Sequence, residues 1–213
     1  CVSKDTLTQR SVYQMNKNHK AIYPNEVLEI FQVSQALLEG HFLLTSGRHS
    51  GKYMQCAKVL QYPHHATRLG EALAEKFTDQ EIELVVGPAV GGIIVAHEVA
   101  RALGVKSVFT EREKGEMKLR RGFELKPGQK VLVAEDVITT GGSVREVMEV
   151  VKAHGAEVVG VGALVDRSGG KVDFGVPFVA LLKVEVENYL PEECPYCQQG
   201  IPAVKPGSRE KEA

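Results

Sequence analysis

The chain has 213 residues, of which 43% are hydrophobic and 25% charged, the composition of an ordinary soluble globular protein with one compact unit and short appendages. Its formal net charge of -1 and pI near 6.7 offer no positive field to gather a nucleic-acid backbone. No stretch nears the ~20 continuous apolar residues of a membrane span, and the first twenty residues, with Lys4, Asp5, Arg10, Lys17 and Lys20, lack the apolar centre of a secretory signal. A cytoplasmic protein without nucleic-acid or membrane partners is the expectation.

Residues 1–23 are polar and weakly periodic, a segment expected to be poorly ordered. Residues 24–62 form an N-terminal helix and two short strands. Val27, Ile30, Phe31, Leu37 and Leu38 recur at helical spacing, with Gly40 as the stop. Phe42 and Leu44 then alternate with polar neighbours before a Ser46-Gly47 turn and an extended piece through Tyr53 and Met54. Residues 63–190 read as the core. Leu69, Ala72, Leu73 and Phe77 lie on one face of a helix over 64–77, and five apolar runs follow at 82–86, 105–109, 130–134, 157–165 and 178–184. Helical patterns fall between them, at 93–103 and at Val144, Val147, Met148 and Val151. This alternation predicts an α/β fold: a doubly wound, mostly parallel five-stranded sheet flanked by helices, with ligands gathered outside the carboxyl ends of the strands.

Four segments at such strand ends carry chemistry. Residues 131–143 pass from an apolar strand through Glu135 and Asp136 into Val137, Ile138, Thr139, Thr140, Gly141, Gly142 and Ser143, and then into a helix. Hydroxyls and backbone N–H groups at a helix start can surround a phosphate, while the paired carboxylates accept from vicinal hydroxyls, so one site can hold a ribose 5-phosphate. The Gly-x-x-x-x-Gly-Lys-Ser/Thr spacing of a nucleoside triphosphate loop is absent. Gly87-Pro88-Ala89-Val90-Gly91-Gly92 suits a second anion or a plain strand–helix turn. In residues 111–129 the cations Arg112, Lys114, Lys118, Arg120, Arg121 and Lys126 outnumber Glu111, Glu113, Glu116 and Glu124, which fits a solvated loop or hairpin, or a lid that closes over an anionic substrate. Val165-Asp166-Arg167-Ser168 puts a guanidinium where a planar base or a carboxylate can meet it.

The tail, 191–213, holds a Cys194-Pro-Tyr-Cys197 pair. Two thiols at this spacing fit a redox dithiol or half of a zinc site, and no second ligand pair follows them. A structural or incidental role is the expectation, with a site completed by Cys56 or by another subunit as the alternative.

The run 131–143 resembles the phosphoribosyl pyrophosphate (PRPP) signature of the type I phosphoribosyltransferases. Gly40-x-Phe42-x-Leu44-x-Ser46-Gly47-x-x-Ser50 followed by Tyr53 is similar to the N-terminal hood of the orotate phosphoribosyltransferases, and the resemblance covers roughly residues 25–186. It implies transfer of the phosphoribosyl group of PRPP to orotate, giving orotidine 5′-phosphate for pyrimidine (UMP) biosynthesis. PRPP would be bound by Pro88, Ala89, Arg112 and residues 135–143, and orotate by Thr139 and Arg167. Glu135, Asp136, Lys114 and Lys118 would serve catalysis. Mg²⁺ would be held mainly by PRPP and water, and a homodimer would bring the lid of one subunit to the site of the other. The chain departs from the better-known bacterial pattern at Thr45, where a lysine is usual, and in the lid, where Arg112 aligns and Lys114, Lys118, Arg120 and Arg121 compete for the remaining roles. A purine phosphoribosyltransferase and a PRPP-sensing regulator of the same fold are the alternatives.

Overall fold

The computed structural model describes residues 22–44 and 46–205, so the expectations for residues 1–21 and for Thr45 lie outside the described residues. Helix α1 (Pro24–Val33) starts on a proline, whose missing N–H costs nothing there, and buries Val27, Ile30 and Phe31. Leu37 and Leu38 do not continue it, contrary to their spacing. The chain turns at Gln35 (φ 51°), Ala36 N–H closes the end on Phe31 O at 2.8 Å, and both leucines enter strand β1 (Leu37–Leu43). Strand β2 (His49–Met54) pairs antiparallel with β1, Leu37 opposite Met54 and Leu43 opposite His49. These two strands form the hood.

A short helix, α2 (Ala57–Leu60), leads into α3 (Pro63–Glu75), and then β3 (Leu84–Pro88), α4 (Gly91–Leu103) and β4 (Lys106–Glu113) build the first strand–helix–strand unit. A short strand β5 (Glu116–Leu119) turns back on β4, followed by β6 (Lys130–Ile138), α5 (Gly142–Ala153), β7 (Glu157–Asp166) and β8 (Phe178–Lys183). The five expected runs become the parallel strands of one sheet, and the charged segment supplies a sixth, antiparallel, edge strand. The order is β5-β4-β3-β6-β7-β8.

Strands buried on both faces need apolar residues at consecutive positions, which is why these runs do not alternate with polar residues. Val85, Leu132 and Ala134 pack with α3 and α4, while Leu84, Val86, Val131 and Val133 pack with α5 on the opposite face. The chain therefore leaves β3 toward one face and β6 toward the other. Between these two neighbouring strands lies the topological switch point, where open α/β sheets form a crevice at the strands' carboxyl ends. After β8 the chain returns to the hood: β9 (Asn188–Tyr189) pairs with β2, and a 3₁₀ turn (Pro191–Glu193) and a short helix α6 (Pro195–Gln198) follow. Among the described residues no helix is long and apolar enough to cross a membrane.

Candidate active site

β6 carries the centre of the crevice. Its residues Val131 to Ala134 are fully buried, and the strand continues through the acidic pair to Ile138 instead of stopping before it. Glu135 is buried and Asp136 half-buried; Asp136 N–H donates to Glu135 Oε1 at 3.0 Å and Val137 N–H to Asp136 Oδ1 at 2.8 Å. Burial first, and then the neighbouring charge of Asp136, push the Glu135 carboxyl up to about 9. Two carboxyls this close and this buried resist carrying two negative charges at once. The Cys56 thiol, 3.8 Å from Asp136 O, is raised well above its usual value by burial and by the same two carboxyls, which leaves it an inert packing group.

The turn after β3 lies against this pair. A Cβ on Gly91 would overlap the Asp136 carboxylate, and one on Gly92 would stand 2.7 Å from Pro88 Cδ and 3.2 Å from Glu135 Oε1. Only glycines let the start of α4 approach so closely. Ala89 N–H donates to Thr110 O at 2.7 Å, fixing the loop to the next strand.

On the other side of β6, residues Val137 to Val144 line a cup of about 60 Å³. Gly141, at φ 76°, is the N-cap of α5, and a Cβ there would meet Val172 Cγ1 at 2.9 Å and Phe174 Cε1 at 3.0 Å. No side chain caps the helix, so its first amides remain as anion donors, and the exposed Thr139, Thr140 and Ser143 add hydroxyls.

Arg167 joins the site from β7. Its N–H donates to Ile138 O at 2.8 Å, and the register sets Ile138 opposite Asp166, so Arg167 and Thr139 follow adjacent strand ends. Asp166, buried, turns the chain by accepting from Ser168 N–H at 2.8 Å. The guanidinium Nε is buried without a hydrogen-bond partner, and Arg167 forms no ion pair among the described residues. Desolvation lowers its pKa, opposed by Cys56 and by Tyr53 of the hood.

The charged segment is a β4–β5 hairpin turning at Lys114 (φ 52°) and Gly115 (φ 89°). Most of its cations are engaged. Arg112 pairs with Glu146 of α5 at 2.6 Å, Lys118 with Glu113 at 3.5 Å, and Arg120 and Arg121 with Glu111 at 3.2 and 2.9 Å. Lys114 at the tip and Lys126 form no ion pair among the described residues. The strand ends thus bring together Pro88, Ala89, residues 135–143 and Arg167, whereas Arg112, Lys114 and Lys118 belong to the hairpin. The roles of Cys56 beneath the acidic pair and of Asp166 as a tether have no sequence signature. Nor do His41 and His49, which the hood register sets close to the tail.

The phosphoribosyl transferase domain family matches residues 57–191. The orotate phosphoribosyltransferase of Desulforamulus reducens is 62% identical over 185 residues, covering 87% of this chain and 97% of that protein. The crystal structure of orotate phosphoribosyltransferase from Aeropyrum pernix superposes with a TM-score of 0.62 at 26% identity, over 74% of this chain and 93% of that one. An adenine phosphoribosyltransferase from Rhodothermus marinus shares the fold alone, at a TM-score of 0.57 and 23% identity, over 74% of this chain and 99% of that one. The fold is thus common to enzymes of different bases, and it is the high identity over nearly the whole length that decides: the chain belongs to the orotate phosphoribosyltransferase family of type I phosphoribosyltransferases.

Proposed function

We propose that the crevice between β3 and β6 transfers the phosphoribosyl group of PRPP to orotate, releasing diphosphate and forming orotidine 5′-phosphate. The observation that carries the choice of acceptor is Arg167, a half-buried guanidinium with no anionic partner among the described residues, one strand away from the cup. A planar base bearing a carboxylate supplies what it lacks; adenine and hypoxanthine do not. Thr139, at the adjacent strand end, contacts the same base.

The donor is held from three sides. The amides and hydroxyls of residues 137–143 bind the 5-phosphate, the Glu135–Asp136 pair accepts from the ribose hydroxyls, and the Pro88-Ala89 loop with Arg112 receives the diphosphate. During reaction the C–O bond to diphosphate breaks with its electron pair leaving on oxygen, positive charge develops on the ribose, and an orotate nitrogen forms the new bond to the anomeric carbon, its proton leaving to the diphosphate oxygens or to water. The acidic pair stabilises the sugar cation once Glu135 ionises. Lys114 and Lys118 of the hairpin neutralise the leaving group and exclude water, reaching the site of the partner subunit in a homodimer.

The donor set fits Mg²⁺ arriving with its substrate. Two carboxylates stand side by side at the crevice, and the described residues contain no group of three that would cage a hard cation there. Mg²⁺ would enter with PRPP beside Glu135 and Asp136, and when bound it would supply charge neutralisation for the leaving diphosphate.

The test is product formation with PRPP and Mg²⁺. Loss of orotate absorbance with stoichiometric release of diphosphate is expected, with no turnover of adenine, hypoxanthine or uracil. Turnover of a purine without orotate contradicts the assignment.

A further inference from the structure

Away from the crevice, four side chains converge where the tail crosses the hood. His41 of β1, His49 of β2, and Cys194 and Cys197 around the start of α6 bring one donor atom each within 4.8 Å of all the others. The closest approaches are His41 Nε2 to His49 Nδ1 at 2.8 Å, Cys197 Sγ to His49 Nδ1 at 3.2 Å, Cys194 Sγ to His41 Nε2 at 3.4 Å and Cys197 Sγ to His41 Nε2 at 3.8 Å. Donors of a tetrahedral ion with Zn–N and Zn–S bonds of the usual lengths stand about 3.3–3.8 Å apart, so both thiols already stand at that spacing from His41 Nε2, while the two imidazole nitrogens would have to part by about half an ångström. Cys56 lies under the acidic pair instead, so the two hood histidines, and neither Cys56 nor another subunit, complete the thiol pair.

The tautomer of His41 is determined by its surroundings. Its Nδ1 stands 2.7 Å from Ile201 O, a carbonyl that can only accept, so Nδ1 carries the proton and the Nε2 lone pair faces the cluster. A carbonyl behind the ring is the support that metal-bound histidines usually have. The surroundings are fitted to the tail: Tyr196 stacks on His41 with ring centroids 5.4 Å apart and lies so close to Gly51 that any Cβ there would overlap its hydroxyl. His41, His49 and Cys194 are buried, and Cys197 closes the rim.

We infer that His41, His49, Cys194 and Cys197 form a structural Zn²⁺ site that clips the C-terminal tail onto the hood. Two neutral imidazoles and two thiols bind the ion with release of two protons, and two thiolates leave the buried site electrically neutral. A soft-borderline N₂S₂ set at tetrahedral spacing selects Zn²⁺ over the hard cation of the active site. A dithiol–disulfide couple would use the cysteines and leave two inward-facing imidazoles unexplained. Ligands 153 residues apart, His41 and Cys194, are joined by the clip, which reinforces the β2–β9 pairing and the Leu43 N–H to Val204 O bond of 2.8 Å. Closing so long a loop stabilises the native chain.

Elemental analysis of the full chain purified under reducing conditions should find about one Zn²⁺ per chain, with no open coordination position. Replacing it by Co²⁺ should give the visible absorption of a tetrahedral ion with thiolate charge transfer. Cys197→Ser, at the exposed rim, should lose the ion or hold it far more weakly and lower the Tm, whereas Cys197→His should retain an ion with one fewer thiolate in the Co²⁺ spectrum. Because the Co²⁺ spectrum is read on the native sequence, an unfolded variant does not blunt the test. The inference is overturned if the reduced chain takes up no Zn²⁺ from a slight excess, if Cys194 and Cys197 are found as a disulfide, if the ion bound is iron in preference to zinc, or if zinc content is unchanged in Cys197→Ser.

Discussion

The cup at the start of α5 and the β4–β5 hairpin both present groups to an anion, yet they are built in opposite ways. In the cup the donors are largely backbone amides, held by a glycine that Val172 and Phe174 crowd and by a helix whose Val144, Val147 and Val151 are fully buried. On the hairpin the donors are long side chains, paired with glutamates that are mostly on the same two strands. Such exposed pairs are weak and salt-screened, so the hairpin can exchange a carboxylate for a diphosphate at little cost. In the proposed reaction the cup is ready before substrate arrives, whereas the hairpin would have to change partners. A pre-organised site for the part of the donor that stays, and a releasable one for the part that leaves, suits a transfer in which diphosphate must depart.

If this contrast holds, damage to the cup should be the more severe. Gly141→Ala forces a Cβ into a left-handed position and into the Val172 and Phe174 side chains. We predict that kcat/KM for PRPP falls about 10²-fold, the loss typical of one misplaced anion donor, and that Tm drops as well. A fall in Tm with unchanged kcat/KM would mean that the cup does not hold the phosphate.

Hairpin changes should be smaller and should spare the fold. Lys114→Ala removes a tip cation with no ion-pair partner among the described residues, and turnover should drop about tenfold, or ~1.4 kcal/mol of transition-state stabilisation, with Tm unchanged. Lys118→Ala should cost less, because its ammonium is shared with Glu113 and Glu116 at 3.5 and 3.4 Å. If neither substitution alters turnover, the hairpin has no part in the chemistry. Mixing Lys114→Ala with Gly141→Ala subunits should restore activity through hybrid dimers, since one of the two sites then has an intact cup and an intact hairpin from its neighbour. No recovery on subunit exchange would count against a hairpin acting in trans.

The smallest effect is read in the stability of the unliganded chain. Glu135, raised in the native state to about 9 and near the ordinary carboxylate value when unfolded, binds more protons folded than unfolded between those two values. Its contribution therefore falls as pH rises through that window, opposite to a salt-bridged carboxylate. Glu135→Gln removes the burden, so the unliganded variant should gain more in Tm over wild type at pH 8 than at pH 5. An equal gain at both values would assign the effect to packing and not to ionisation.

How much of this was written in the chain follows from the same contrast. The cup was legible because its chemistry is local: strand, acids, glycines and helix occur in one run from Val131 to Ser143. The parallel sheet was legible because burial on both faces leaves continuous apolar runs. Leu37 and Leu38 misled because two leucines fit a helical spacing equally well, and only the positive φ at Gln35 and the pairing with β2 send them into a strand. The partners of the hairpin cations, the place of Cys56 beneath Asp136 and the meeting of the hood histidines with the tail thiols are contacts between distant segments. No local pattern encodes them.

The separation of donor and acceptor binding is tested most directly by the steady-state kinetics of Arg167→Ala with each substrate varied in turn. The lone guanidinium beside Thr139 predicts a KM for orotate raised at least about tenfold, as expected for a lost charge-assisted hydrogen bond, while the KM for PRPP stays within about threefold of wild type. A KM for PRPP that rises as much as that for orotate, or an orotate KM that does not move, would contradict it.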